Sequence, residues 1–103
     1  MLLFENRTTD GDSSVFSRAN RGELGLTDEY ILNVYGTWDG ASVTAHYSFD
    51  NTNWSATDTD ATWSQNKGIK VSLNDDMYLK FILVDAGAST SINAEILNVR
   101  EDK

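Results

Sequence analysis

The chemistry available to this 103-residue chain rests on one histidine and sixteen carboxylates, with no cysteine. A metal site built on His46 would have to recruit oxygen ligands to complete it, and a Ser-His-Asp arrangement would need tertiary placement that no motif announces. His46 lies on a segment where Val43, Ala45 and Tyr47 alternate with Thr44, His46 and Ser48. With Val43, Ala45 and Tyr47 facing a core, His46 falls on the opposite face. Asp50, Asn51, Asn53, Asp58 and Asp60 form an oxygen-rich run. Calcium takes about six to eight oxygen ligands, but this spacing matches no EF-hand loop, and Asp and Asn are the favoured turn residues. No pair of acids is marked out for glycoside hydrolysis. The reading is no enzyme, no metal and no cofactor.

Aromatic and basic residues point instead to binding. Trp38 stands beside the Asp39-Gly40 turn, where it either anchors a partner, as Trp does at interface hot spots, or covers the sheet next to Tyr35. Trp54 and Trp63 read as core residues or sheet-edge caps. Arg7, Arg18 and Arg21 fall in the first 21 residues. They read either as ordinary surface solvation or as an N-terminal segment that docks onto an acidic surface, since arginine forks carboxylates and is enriched at interfaces.

Composition narrows the partner. The net charge is −8, so a nucleic-acid partner is not expected, because phosphate contacts need clustered Lys and Arg. No apolar run approaches the roughly 20 residues of a membrane helix. Met1-Leu2-Leu3-Phe4 is too short for a signal h-region. Without cysteine there are no disulfides or thiol chemistry, which fits assembly in a reducing cytoplasm.

These side chains must be positioned by strands. Tyr30–Trp38 and Ala41–Phe49 alternate around Asp39-Gly40, the dipeptide of a tight type I′ turn, and so predict a β-hairpin. Leu2-Leu3-Phe4 is either a short first strand or an anchoring arm. Val15, Phe16 and Ala19 suggest a second strand, Asn20 to Asp28 a loop, and Ser55–Ser64 an exposed excursion anchored by Trp63. Ile69, Val71 and Leu73 predict a half-buried strand, with Asn74-Asp75-Asp76 turning the chain. The apolar run Met77–Val84 suggests a central strand covered on both faces. Asp85–Ala88 reverses the chain into Ser89–Val99, where Ile92, Ala94 and Ile96 alternate with Ser91, Asn93 and Glu95. The expected fold is all-β, an antiparallel β-sandwich or jelly roll of about seven or eight short strands. It forms one domain over residues 1–103, with 1–25 a docking arm or edge segment.

The run from Asn33 to Glu95 resembles small β-sandwich virion proteins of tailed bacteriophages. Gly36-Thr37-Trp38-Asp39-Gly40-Ala41-Ser42-Val43 carries the resemblance, followed by Tyr47-Ser48-Phe49-Asp50 with Trp54. Ile69, Val71 and Leu73, then Met77–Val84, Asp85–Ala88 and Ser91–Ile96, complete it. These motifs are structural punctuation rather than catalytic signatures. The Tyr-Ser-x-Asp…Trp piece is also similar to the hairpin of discoidin-like and carbohydrate-binding sandwiches, from which this chain departs with Asp50-Asn51 in place of Asp-Gly. The resemblance implies a non-enzymatic virion part. Within that class it favours a capsid decoration, or cement, protein on the outer capsid surface, assembled in the host cytoplasm, trimeric, and bound to the major capsid protein or another virion protein. A tail, neck or head-fibre component is the nearest rival. On this reading Leu2, Leu3, Phe4, Arg7, Arg18, Arg21 and Trp38 bind the partner. In a different class, a small carbohydrate-binding module would line a groove with Trp38 and Tyr35.

Overall fold

The computed structural model describes residues 2–17, 29–56, 61–72 and 77–98. Nine strands form among them: β1 (Leu2–Arg7), β2 (Gly11–Asp12), β3 (Glu29–Thr37), β4 (Ser42–Ser48), β5 (Ser55–Ala56), β6 (Thr62–Trp63), β7 (Lys67–Ser72), β8 (Tyr78–Val84) and β9 (Ser91–Asn98). One sheet has the order β1-β9-β3-β7, and the other β2-β8-β4-β5 with β6 also on β4. All pairings are antiparallel. The protein is therefore an all-β sandwich. Three of the nine strands are only two residues long, which is why alternation alone pointed to fewer.

Period-two alternation places the core. Tyr30, Leu32 and Val34 of β3, Val43 and Ala45 of β4, Leu79, Phe81 and Leu83 of β8, and Ile92, Ala94 and Ile96 of β9 are all buried. Aromatic rings rivet the two sheets, Phe4 meeting Phe81 at 6.5 Å and Phe16 meeting Tyr30 edge-on at 5.5 Å, while Trp63 meets Phe81 edge-on at 5.7 Å within the second sheet. Deleting a ring of this kind costs about 3–5 kcal/mol, because the cavity adds to the lost transfer energy. The Trp63 indole nitrogen donates to the Lys67 carbonyl at 3.0 Å, so its polar tip is satisfied inside the core.

Four expectations need correction. The predicted hairpin does not form. The turn is present: Asp39 and Gly40 both take positive φ (46° and 87°), and the Ala41 amide donates to the Trp38 carbonyl at 2.9 Å. It joins strands of different sheets, however, since β3 pairs with β7 and β9 while β4 pairs with β8, β5 and β6. Turn chemistry is local and strand pairing is not. The same dipeptide that closes hairpins here makes an inter-sheet corner.

Secondly, β8 is covered on one face only. Tyr78, Lys80 and Ile82 on its other face are half-buried and Val84 is exposed, so an apolar run can be half wet when lysine and tyrosine punctuate it. Thirdly, Tyr47 is only half-buried while Ser48 is buried. The Ser48 hydroxyl accepts from the Asp50 and Asn51 amides and donates to the Asp50 carboxylate, which folds the following loop over it. Finally, Phe16 makes a single bridge to Leu79 rather than a strand, and Ala19 lies outside the described residues.

Glycine is required at two close approaches. Gly36 has φ 144°, and a Cβ there would collide with the Ser91 carbonyl of the neighbouring β9. A Cβ on Gly87 would run into Asp39. That second approach packs the β8–β9 loop against the corner.

Candidate functional site

The predicted docking residues divide sharply. β1 is an edge strand on β9, and it turns Leu3 and Phe4 into the core (8% and 2% exposed). Their assignment to partner binding is corrected on that ground: they are apolar side chains used to close the sandwich. Leu2, paired opposite Glu95, shares the outer face and is 45% exposed. Arg7 works internally. Its Nε donates to the Thr9 carbonyl at 2.7 Å, its Nη2 to the Asp10 carbonyl at 3.0 Å, and its guanidinium lies 5.6 Å from the Phe4 ring centre. It therefore shapes the turn between β1 and β2 rather than reaching for a partner. Arg18 and Arg21 lie outside the described residues.

Trp38 is half-buried and packs against the core. Its indole N–H donates to Asn66 Oδ1 at 2.9 Å, and its carbonyl accepts the Thr90 hydroxyl at 2.9 Å. Asn66 Oδ1 also accepts the Gly36 amide at 2.9 Å. The indole N–H and the carbonyl of Trp38 are thus committed within the fold, and of its two readings the structure favours the one that covers the sheet, as a corner clamp.

His46 lies on the outer face of the second sheet, as alternation predicts. Its cross-strand neighbours are Lys80 and Ala56, and its Nδ1 is buried without a hydrogen-bond partner. Lys80 is held by Asp12 at 2.7 Å, and its ammonium sits 4.3 Å from the centre of the Trp54 ring. Trp54 therefore caps this outer face through a cation–π contact. Asp12, Lys80 and Trp54 make a closed set, each using its charge or ring on the next. Among the described residues no group of three or more His, Asp or Glu side chains is arranged to hold a metal.

Asp50 is spent on its own loop. Its carboxylate accepts the Asn53 amide at 2.8 Å, the Thr52 amide at 2.9 Å, the Asn53 side-chain amide at 2.7 Å and the Ser48 hydroxyl at 2.9 Å. The Asn53 backbone bond, followed by that from Thr52, drives its pKa well below the ordinary carboxylate range. The oxygen-rich run is, in its described part, a self-capped turn. Asp58 and Asp60 lie outside the described residues.

Among the described residues, the outer face of the first sheet carries further apolar groups open to solvent. Register places Ile31 between Lys70 and Leu97, and in the next row Asn33 between Gly68 and Glu95, with Leu2 beyond Glu95. Leu97 is 38% exposed and Ile31 half-buried. With Leu2 they make an aliphatic patch beside the Asn33–Glu95 hydrogen bond of 2.9 Å. Tyr35 continues the same face of β3. Sequence reasoning missed Ile31 and Leu97. Their signal was available: they are the large apolar residues on the polar phase of two alternating strands. It also missed Phe49, which is 58% exposed and stands edge-on to Tyr47 at 5.8 Å. Phe49 continues the inward phase of β4, and only the end of that strand at Ser48 turns it outward. No family model, curated protein or solved structure matches this chain.

Proposed function

We propose that this chain is a non-enzymatic structural protein of a tailed-phage virion, a capsid decoration protein that binds the head lattice and associates as a trimer. The observation that supports it is the aliphatic patch of Leu2, Ile31 and Leu97, set on the solvent side of a sheet in a chain of net charge −8. Charge keeps such a chain soluble, while a contiguous apolar patch ringed by polar residues marks an interaction surface. The resemblance of its motifs to those of phage sandwich proteins supports reading that surface as a contact with another virion protein. The tie of the half-buried Trp38 to Asn66 supports a structural use of that ring over the carbohydrate-binding reading.

The test is immunogold labelling of phage particles released from cells that carry the gene, with an antibody raised against the purified chain. Labelling over heads is expected, and unlabelled particles would overturn the proposal. Leu97→Lys changes an exposed side chain, so it should fold normally and lose head labelling.

A further inference from the structure

The sandwich has five edge strands among the described residues, and four carry a device that discourages a further strand. β2, β5 and β6 are two residues long. β1 is irregular, with register shifts on both sides of Phe4 and a positive φ of 51° at Asn6. Short, bulged edges are how β-proteins avoid unwanted pairing. β7 differs. It holds unbroken register with β3 over six residues, from Lys67↔Val34 to Ser72↔Glu29, and no described strand lies on its other side. Lys67, Gly68, Lys70 and Ser72 are exposed, and Ile69 and Val71 are left only half-buried against the core.

We propose that β7 is a strand-docking edge, and that it takes an extended, acid-bearing segment of another protein as an added antiparallel strand. An edge strand presents N–H and C=O groups along its free side, here past Lys67, whose carbonyl already accepts the Trp63 indole N–H, and main-chain bonds supply the affinity of strand addition. Side-chain selectivity follows from register. Residues directly opposite share a face, so Lys70 selects a carboxylate. Ile69 and Val71 select aliphatic residues that complete the partly open core, and Gly68, having no side chain, leaves room for a ring. Charge supports the assignment. β7 holds two of the chain's eight Lys and Arg residues and no carboxylate, against sixteen acids overall. Among the described residues Lys70 is engaged only by Glu29 at 3.5 Å, in a pair exposed on both sides, and such a pair exchanges partners readily. Self-pairing is a poorer use of the edge: one in-phase β7–β7 register sets Lys70 against Lys70, and like charges directly opposite are unfavourable.

The inference rests on reading the chain as a binding component, but its test needs no virion. The probe is a fluorescein-labelled, end-blocked peptide, Thr-Val-Glu-Ile-Tyr-Glu, titrated into the whole protein and followed by anisotropy. A control peptide carries Lys in place of both Glu. The acidic peptide should bind at least about fivefold tighter than the basic one, and Lys70→Glu should reverse that order. Backbone amide shifts should concentrate on Lys67–Ser72. Equal binding of the two peptides, no binding of either, or shifts centred elsewhere would overturn the inference. Unlabelled phage particles together with charge-selective peptide binding would sink the virion reading and leave the edge standing.

Discussion

At the corner Trp38–Ala41 the aspartate reaches out, and in the loop Phe49–Asn53 it reaches in. Asp39 Oδ2 accepts the Ser89 amide at 2.8 Å, across fifty positions of sequence. Beside it Trp38 is tied to Asn66 and Thr90. Three connections of the sandwich meet there, so the corner is tertiary structure. Among the described residues Asp50 bonds only to Ser48, Thr52 and Asn53, so its loop closes on itself. The two turns look alike in sequence, each an aspartate followed by a residue that accepts positive φ (Gly40 and Asn51). One holds the sheets together and the other shapes a surface. Damage at the first should therefore unfold the protein, and damage at the second should leave it folded.

The strongest test of the corner is Gly36→Val. It forces a β-branched residue to φ 144° and drives its Cβ into the Ser91 carbonyl. Backbone cannot swing away as a side-chain tip can, and the expected destabilisation is about 3 kcal/mol or more. Urea unfolding should show the midpoint falling steeply or no folded baseline at all. A wild-type midpoint would mean that β3 and β9 do not approach as closely as this. Trp38→Ala comes next. It removes a half-buried ring and leaves Asn66 with one donor fewer, for about 2 kcal/mol, read by the same titration. A loss below about 0.5 kcal/mol, the range of neutral surface changes, would return Trp38 to the free tip that its place beside the turn suggested.

Asp39 separates two contributions. Asp39→Ala loses the bond to Ser89 and strains the backbone at φ 46°, for about 2 kcal/mol together. Asp39→Gly relieves the strain and loses only the bond, so it should recover about half of that. Equal losses for the two variants would show that the positive φ carries no penalty at this corner.

Much of this architecture could be read beforehand, and the rest failed for a single reason. Alternation marked Leu32, Val43 and Ile92 as inward and His46 as outward, because the side-chain period of a strand is a local property. The positive-φ turn at Asp39-Gly40 was legible for the same reason. Which strands it joins was not, since pairing of β4 with β8 depends on residues nearly forty positions away. The site fared worse. Leu3 and Phe4 near a chain end look like an arm, and only the seating of β1 on β9 makes them core. Arg7 looks like a docking cation until the carbonyls of Thr9 and Asp10 are seen to curl around it. The regular edge of β7 has no local signature either, because Ile69-Lys70-Val71 reads the same whether or not a strand lies beyond it.

The smallest effect sharpens the comparison most. Asp50 is exposed and its pKa is lowered by the amides of Asn53 and Thr52, so ionised Asp50 is the form that holds the loop. For a lowered carboxylate the stabilisation is complete above the ordinary carboxylate range and disappears only as pH falls through the lowered value. Amide exchange at Thr52 and Asn53 should therefore stay protected from neutral pH into acid. Asp50→Ala should raise their exchange severalfold at neutral pH while the urea midpoint stays at the wild-type value. A matching drop in global stability would mean that the loop is wired into the sandwich as the corner is, and that Phe49, carried at its base, is fixed by the core rather than by Asp50.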